Sequence, residues 1–351
     1  MTAACAEAVA PGSTGARPRA GTVALPLLLV LGLAVLSPAS AAADGDDDPA
    51  ALALLRRAVT AASTVAYQGA RLDVAWTASG MTTRTSDVRQ AAGQRRTTLR
   101  AAGDGPTTTT TEPVLAGAGT VDPLSLLTGA YAVMTAGADR IVGRQADVVV
   151  VLRGGRVAAR LWLDHATGLL LREEVRDVTG RVTRMMTFVQ LQVTGVSSLP
   201  GTVAGRPGES PRAAADRLGS PCPTHLPGGF ELVDIRQEPV GADGGAPVLH
   251  LTYSDGLSGL SVFVQQGRLP IGGPPGTEGQ NWDGARVYVA PGWPTRAVWQ
   301  GGGRVFTVVS DAPEEEVEAA VGDVPGAGTS SGGLERVNAV VRLMGALLPG
   351  R

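Results

Sequence analysis

Leu52, Leu55, Val59 and Ala62 recur at helical spacing behind Asp48-Pro49-Ala50, and proline suits a first helical turn, so the pattern predicts one helix here. From Tyr67 the period falls to two, as in Arg71-Leu72-Asp73-Val74-Ala75-Trp76, and strand-like segments recur to about Val193. The clearest begins at Asp147-Val148-Val149-Val150-Val151-Leu152, turns at Gly154-Gly155 and returns through Val157 to Leu163. Turns at Asp164-His165-Ala166-Thr167-Gly168 and Asp177-Val178-Thr179-Gly180 then lead into Leu169 to Val175 and Arg181 to Leu191. Such short turns only join antiparallel neighbours, so a meander is expected. Within it, Gly105 to Gly119, with Thr107 to Thr111, reads as a polar loop, and Asp122-Pro123-Leu124 to Met134 as a short helix.

A stretch rich in Pro, Gly, Ser and Arg, residues 201–224, has the composition of an interdomain linker, with a short helix expected from Ser210 to Leu218. A second unit follows, with strands at Phe230 to Ile235, Val248 to Tyr253, Leu260 to Gln265, Arg286 to Val289, Arg296 to Trp299 and Arg304 to Val309. Asp311 with Glu314 three residues on predicts a capping box and a helix to about Val321. Residues 324–351 read as a flexible spacer and a C-terminal helix from Leu334 to Leu348. The expected organisation is therefore 1–43, 44–200, 201–224, 225–323 and 324–351.

The first of these segments reads as an export signal. Arg17 and Arg19 precede the apolar run Val23 to Leu36, which is followed by Pro38 and the small residues Ala39 to Ala43. That run is shorter than the ~20 residues a spanning helix needs, so cleavage after Ala41 or Ala43 is expected, and no other apolar run can span a membrane. Removal of the signal takes Cys5 with it. Cys222, in Ser220-Pro221-Cys222-Pro223, is then alone and has no intramolecular disulfide partner.

Composition narrows the function classes. A charged fraction of 18 % beside 44 % hydrophobic residues excludes a disordered polymer, and a net charge of -2 argues against a nucleic-acid binder that works by phosphate neutralisation. All 30 basic residues are arginine, so lysine-dependent Schiff-base and phosphate-loop mechanisms are removed. With 48 glycines and 24 prolines, turns and short strands are favoured over a bundle.

No catalytic constellation emerges. His165, His225 and His250 lie in separate elements and none belongs to a metal-binding repeat, so no metal or other cofactor is expected. Gly256-Leu257-Ser258-Gly259 lacks the G-x-S-x-G order and is read as a hairpin turn. Glu173 and Glu174 are adjacent in a strand, point to opposite faces and cannot share a substrate as an acid/base pair. These two, Glu314 to Glu316, and Arg95, Arg96 and Arg100 are read as solvated surface.

Several segments, in one order, resemble the MucB/RseB family of extracytoplasmic sigma-factor regulators. They are Leu54-Leu55 and Tyr67-Gln68-Gly69; Leu161-Trp162-Leu163-Asp164 with Thr167-Gly168-Leu169-Leu170-Leu171-Arg172; Asp177 and Gly180-Arg181-Val182; Leu226-Pro227-Gly228-Gly229-Phe230; and His250 to Leu257 through Ser261-Val262-Phe263-Val264. The likeness covers nearly all of residues 50–323. It implies an α+β fold: a half-open antiparallel β-barrel with packed helices, similar to periplasmic lipoprotein carriers, plus a smaller α+β domain. It also implies a non-enzymatic protein outside the cytoplasmic membrane that binds the outer segment of a membrane anti-sigma factor, and it brings no catalytic residues. A groove between the domains, or strand addition to a sheet edge, is the expected mode of contact. The alternative is a soluble carrier of lipid or lipoprotein, with acyl chains held on the concave face of the larger sheet. Leu72, Val74, Trp76, Leu161 and Leu163 are the candidate apolar ligand-binding face, because in each strand they alternate with polar or small residues, Trp162 taking the opposite side.

Overall fold

The helix at the start of the described chain, α1 (Pro49–Thr64), is capped by Asp48, whose carboxylate accepts the Ala50 N–H at 2.8 Å. The same carboxylate accepts the Thr135 N–H and Oγ1–H at 3.0 and 2.7 Å, which pins the helix to a sheet edge. A second helix, α2 (Pro123–Ala130), repeats the Asp-Pro start through Asp122. It ends at Ala130 instead of running to Met134, because Tyr131 and the residues beyond turn extended and enter the sheet. The computed structural model describes residues 47–91, 94–100, 108–113, 122–196, 223–238, 248–282 and 284–324. The expected leader, most of the linker with Cys222, and the tail lie outside the described residues.

Nine strands form the larger sheet: β1 (Val65–Thr77), β2 (Gly80–Ala91), β3 (Gln94–Arg100), β4 (Thr108–Pro113), β5 (Ala132–Ile141), β6 (Arg144–Arg153), β7 (Arg156–Asp164), β8 (Leu170–Arg176) and β9 (Val182–Val196). Their order is β4-β3-β2-β1-β9-β8-β7-β6-β5, antiparallel throughout, so two meanders are joined by pairing β1 with β9. The sheet does not close on itself: β4 and β5 stand at its two edges, as in a half-open barrel. The threonine-rich stretch expected as a loop is strand β4, consistent with the strand preference of β-branched threonine once β3 offers a ladder.

Side chains directly opposite one another in a sheet share a face. Leu161 lies opposite Glu173, Glu173 opposite Met186, and Met186 opposite Asp73. Leu161 and Leu163 therefore share a face with Asp73, while Leu72, Val74 and Trp76 stand on the other side with Trp162. α1 and α2 cover the first face: Ala51, Leu55 and Leu127 pack with Val149, Val151, Leu161, Leu163 and Val175. Leu161 and Leu163 belong to this filled core.

The smaller sheet has eight strands: β10 (His225–Leu226), β11 (Phe230–Glu238), β12 (Val248–Ser254), β13 (Gly259–Gln266), β14 (Glu278–Trp282), β15 (Ala285–Ala290), β16 (Thr295–Gly301) and β17 (Arg304–Ser310). Their order is β10-β11-β12-β13-β17-β16-β15-β14. The short β10 and β14, absent from the expected set, supply the edges. Helix α3 (Glu314–Gly322) lays Val317, Ala320 and Val321 against Phe230, Tyr253 and Trp299. The expected capping box is not formed. Pro313 occupies the N-cap without a side-chain bond, and Asp311 instead accepts the Gly259 N–H at 2.8 Å and faces Arg184 at 3.3 Å.

Candidate functional site

Three sets of contacts hold the two sheets together, and a groove lies among them. The first is built at the end of β6. Arg153, the last residue of that strand, donates to Asp255 at 3.0 Å, to Glu316 at 2.9 Å, to the Gly228 carbonyl at 2.7 Å and to the Tyr131 hydroxyl. Tyr131 in turn donates to Asp255, and the Arg153 guanidinium lies 4.2 Å from the centre of its ring. Asp255 is wholly buried. Its other oxygen accepts the Leu257 and Ser258 N–H groups at 2.9 and 2.6 Å, which shapes the turn between β12 and β13. Gly256 in that turn has φ +85°, and a Cβ there would stand 2.3 Å from the Leu127 nitrogen. Only glycine lets the two backbones approach this closely.

The second set centres on Arg184 of β9, which pairs with Glu173 at 3.1 Å, with Asp311 at 3.3 Å and with the Leu257 carbonyl at 3.4 Å. Glu173 is thus not the solvated residue expected, because the smaller sheet's turns cover its face. Burial pushes its carboxyl pKa up, with the neighbouring charge of Asp311 and Asp73 adding to the effect and Arg184 opposing it. Burial alone would lower the pKa of Arg184, but Glu173, Asp311, Asp73 and Asp255 outweigh it and keep the guanidinium charged. Glu316 follows Glu173: burial raises its pKa against the pull of Arg153. On the opposite face of β8, Glu174 is also buried, between Arg172 and Arg176.

The third set joins the β1–β2 turn to the β15–β16 loop. Gly292 N–H donates to Ser79 Oγ at 3.2 Å, and Arg84 donates to the Trp293 carbonyl at 3.1 Å with its guanidinium 5.6 Å from the Trp293 ring centre. Between the second and third sets runs a groove of about 510 Å³, walled by Trp76, Thr183 and Arg184 of the larger sheet and by Trp293, Asp311 and Glu315 of the smaller. A recess of about 250 Å³ sharing Thr77, Ala78, Thr295 and Glu314 carries it under edge strand β14 at Glu278 and Gln280. Burial, together with Glu318 and Glu315, raises the pKa of Glu314.

Of the five residues expected to form one apolar face, the structure brings only Trp76 to this groove. It is 40 % exposed there, whereas Val74 is buried, Leu72 half-buried, and Leu161 and Leu163 lie under the helices on the opposite side. Trp293, Arg184 and Asp311 escaped the sequence reading, since nothing local marks residues that meet across two sheets. The histidines are dispersed: His165 faces Asp147 at 3.0 Å, His225 faces Thr224 at 3.0 Å and His250 stacks on Phe263 at 4.3 Å. Among the described residues no group of metal-ligating side chains assembles, and no helix is long and apolar enough to cross a membrane.

The described residues thus form an open nine-stranded sheet carrying two helices on one face, with a smaller α+β unit packed against it. A crystal structure of MucB superposes with a TM-score of 0.50 and 21 % identity, covering 79 % of this chain and 98 % of that one. The MucB/RseB N-terminal domain matches residues 106–212. The sigma factor AlgU regulatory protein MucB of Pseudomonas aeruginosa is 30 % identical over 199 residues, which are 55 % of this chain and 59 % of that protein. A structure of the Pseudomonas aeruginosa MucA/MucB complex aligns at 20 % identity and a TM-score of 0.47, covering 77 % of this chain and 96 % of that one. The chain is thus similar to MucB in fold over most of its length and to the MucB/RseB N-terminal domain in sequence over residues 106–212. The aligned region spans less than two thirds of the curated relative's length.

Proposed function

We propose that this protein is a non-enzymatic regulator outside the cytoplasmic membrane, whose two sheets act as two domains gripping the outer segment of a membrane anti-sigma factor and so controlling release of its sigma factor. The observation that carries this reading is the groove between the sheets, with an indole on each wall, Trp76 and Trp293, and charged groups of both signs between them. Aromatic anchors in a partly enclosed cleft are where binding energy concentrates in protein contacts. The edge of β14 runs beside the recess that continues the groove, so an extended peptide could pair its backbone there while placing side chains in the groove. The name of the curated relative, a regulatory protein of sigma factor AlgU, points the same way. A lipid carrier fits less well, because Leu161 and Leu163 are buried in the core beneath α1 and α2 and do not line the groove.

Titration calorimetry of the mature chain with a soluble peptide of the host's anti-sigma outer segment tests the proposal. A saturable heat, reduced at least tenfold in affinity by Trp76→Ala and by Trp293→Ala, is expected. Binding that neither substitution alters would refute the groove as the site, and absence of binding would refute the function.

A further inference from the structure

A basic recess lies on the sheet face turned away from the helices, at the end where the β6–β7 and β8–β9 turns stand side by side. It encloses about 680 Å³ and is lined by Arg156, Val157, Arg160, Arg176, Val178 and the Thr179-Gly180 pair, without a carboxylate in its wall. Two of its arginines are tethered by backbone carbonyls, Arg176 also pairing with Glu174 at 3.0 Å. Arg156 donates to the Val178 carbonyl at 3.2 Å and Arg176 to the Gly180 carbonyl at 2.9 Å, so both guanidinium groups are tethered to the turn with donors to spare. The nearby carboxylate, Glu174, is already divided between Arg172 and Arg176. Arg160 stands directly across the sheet from Glu174, yet has no hydrogen bond or ion pair among the described residues. Beside these cations Val178 projects from the tip of its turn, 61 % exposed.

Arg156 and Arg160, which have no acidic partner among the described residues, stand beside an exposed aliphatic tip and match a surface that offers phosphates over hydrocarbon. We propose that this end of the larger sheet docks on anionic phospholipid, with Arg156 and Arg160 contacting phosphates and Val178 entering the headgroup layer. The turn from Asp177 to Arg181 also walls the inter-sheet groove, so docking would hold that groove close to the bilayer. This inference does not rest on the partner assigned above, and the vesicle assay contains no partner peptide.

The mature chain is sedimented with vesicles of phosphatidylglycerol mixed into phosphatidylcholine and, separately, of phosphatidylcholine alone. Binding to the anionic vesicles only, weakened by raised salt, is expected. Each arginine near such a surface contributes about fivefold to partitioning, so the double substitution Arg156→Ala/Arg160→Ala should cut it about 25-fold and Val178→Asp should also reduce it. Circular dichroism and Tm establish that the variants are folded, and Arg160→Ala alone, which removes no partner, serves if the double variant is not. Equal binding to both vesicle types, or unchanged binding of Arg160→Ala, overturns the proposal. Saturable uptake of inorganic phosphate that depends on Arg160, without vesicle binding, overturns it too and makes the recess a soluble-anion site.

Discussion

Replacing Arg153 by alanine removes a cation that Tyr131, Asp255 and Glu316 share across the two sheets. Breaking a buried ion pair by deleting one partner costs about 3–5 kcal/mol, most of it the penalty of leaving the other charge buried and uncompensated. Two features place this site at the lower end. Arg153 is 30 % exposed, so water screens part of its interaction, and Asp255 keeps its bonds from Tyr131, Leu257 and Ser258. A loss of about 3 kcal/mol is therefore expected, more than a hundredfold in the folded-to-unfolded ratio. Urea unfolding followed by tryptophan fluorescence and by circular dichroism measures it, with coincident curves required before a single free energy is assigned. A cycle adding Asp255→Asn separates the pair's coupling from loss of the arginine stem, and that coupling should exceed about 1 kcal/mol. A loss below about 1 kcal/mol with no coupling would refute the reasoning, since Asp255 could then not be a buried charge at a sheet–sheet contact.

Other substitutions probe the same architecture. Gly256→Ala forces a Cβ into the Leu127 backbone at a positive φ and should destabilise by about 2 kcal/mol or more, seen as a lowered urea midpoint; an unchanged midpoint would mean that the turn and α2 do not touch there. Asp164 accepts Arg144 at 2.7 and 2.8 Å as well as the Thr167 N–H, and these bonds outweigh burial to hold its pKa below the usual carboxylate value. A carboxylate lowered on folding contributes stability above its unfolded pKa and loses it as pH falls through the folded value, so wild type should lose stability below about pH 4. Asp164→Asn should flatten that acid limb, and an identical limb in both proteins would exclude Asp164 as its cause. The raised carboxyls of Glu173 and Glu316 act with the opposite sign: they cost stability once ionised, so Glu173→Gln should lose less at neutral pH than an ordinary broken ion pair of about 3–5 kcal/mol, as chemical denaturation would report. Trp76→Ala, at a side chain 40 % exposed, should change stability by less than about 1 kcal/mol, so any larger change in peptide affinity is a loss of contact and not of fold.

Local pattern determined much of this molecule. Helix α1, the hairpins at Gly154-Gly155, Asp164–Gly168 and Asp177–Gly180, and most strands of the smaller sheet are legible because amphipathic period, Asp-Pro starts and glycine turns act over a few residues. What needed the tertiary structure was register and the partners it brings together. A strand's alternation says that Leu72, Val74 and Trp76 share a side, and that Leu161 and Leu163 do, but the relation between the two sets depends on how β1, β9, β8 and β7 align, and a slip of one residue would reverse it. Asp311 shows the same limit, since its spacing to Glu314 fits a cap while a charged neighbour from another sheet claims it. The groove itself is made by residues more than two hundred positions apart, such as Trp76 and Trp293, which meet because burying the apolar faces of two sheets fixes where their unburied edges adjoin.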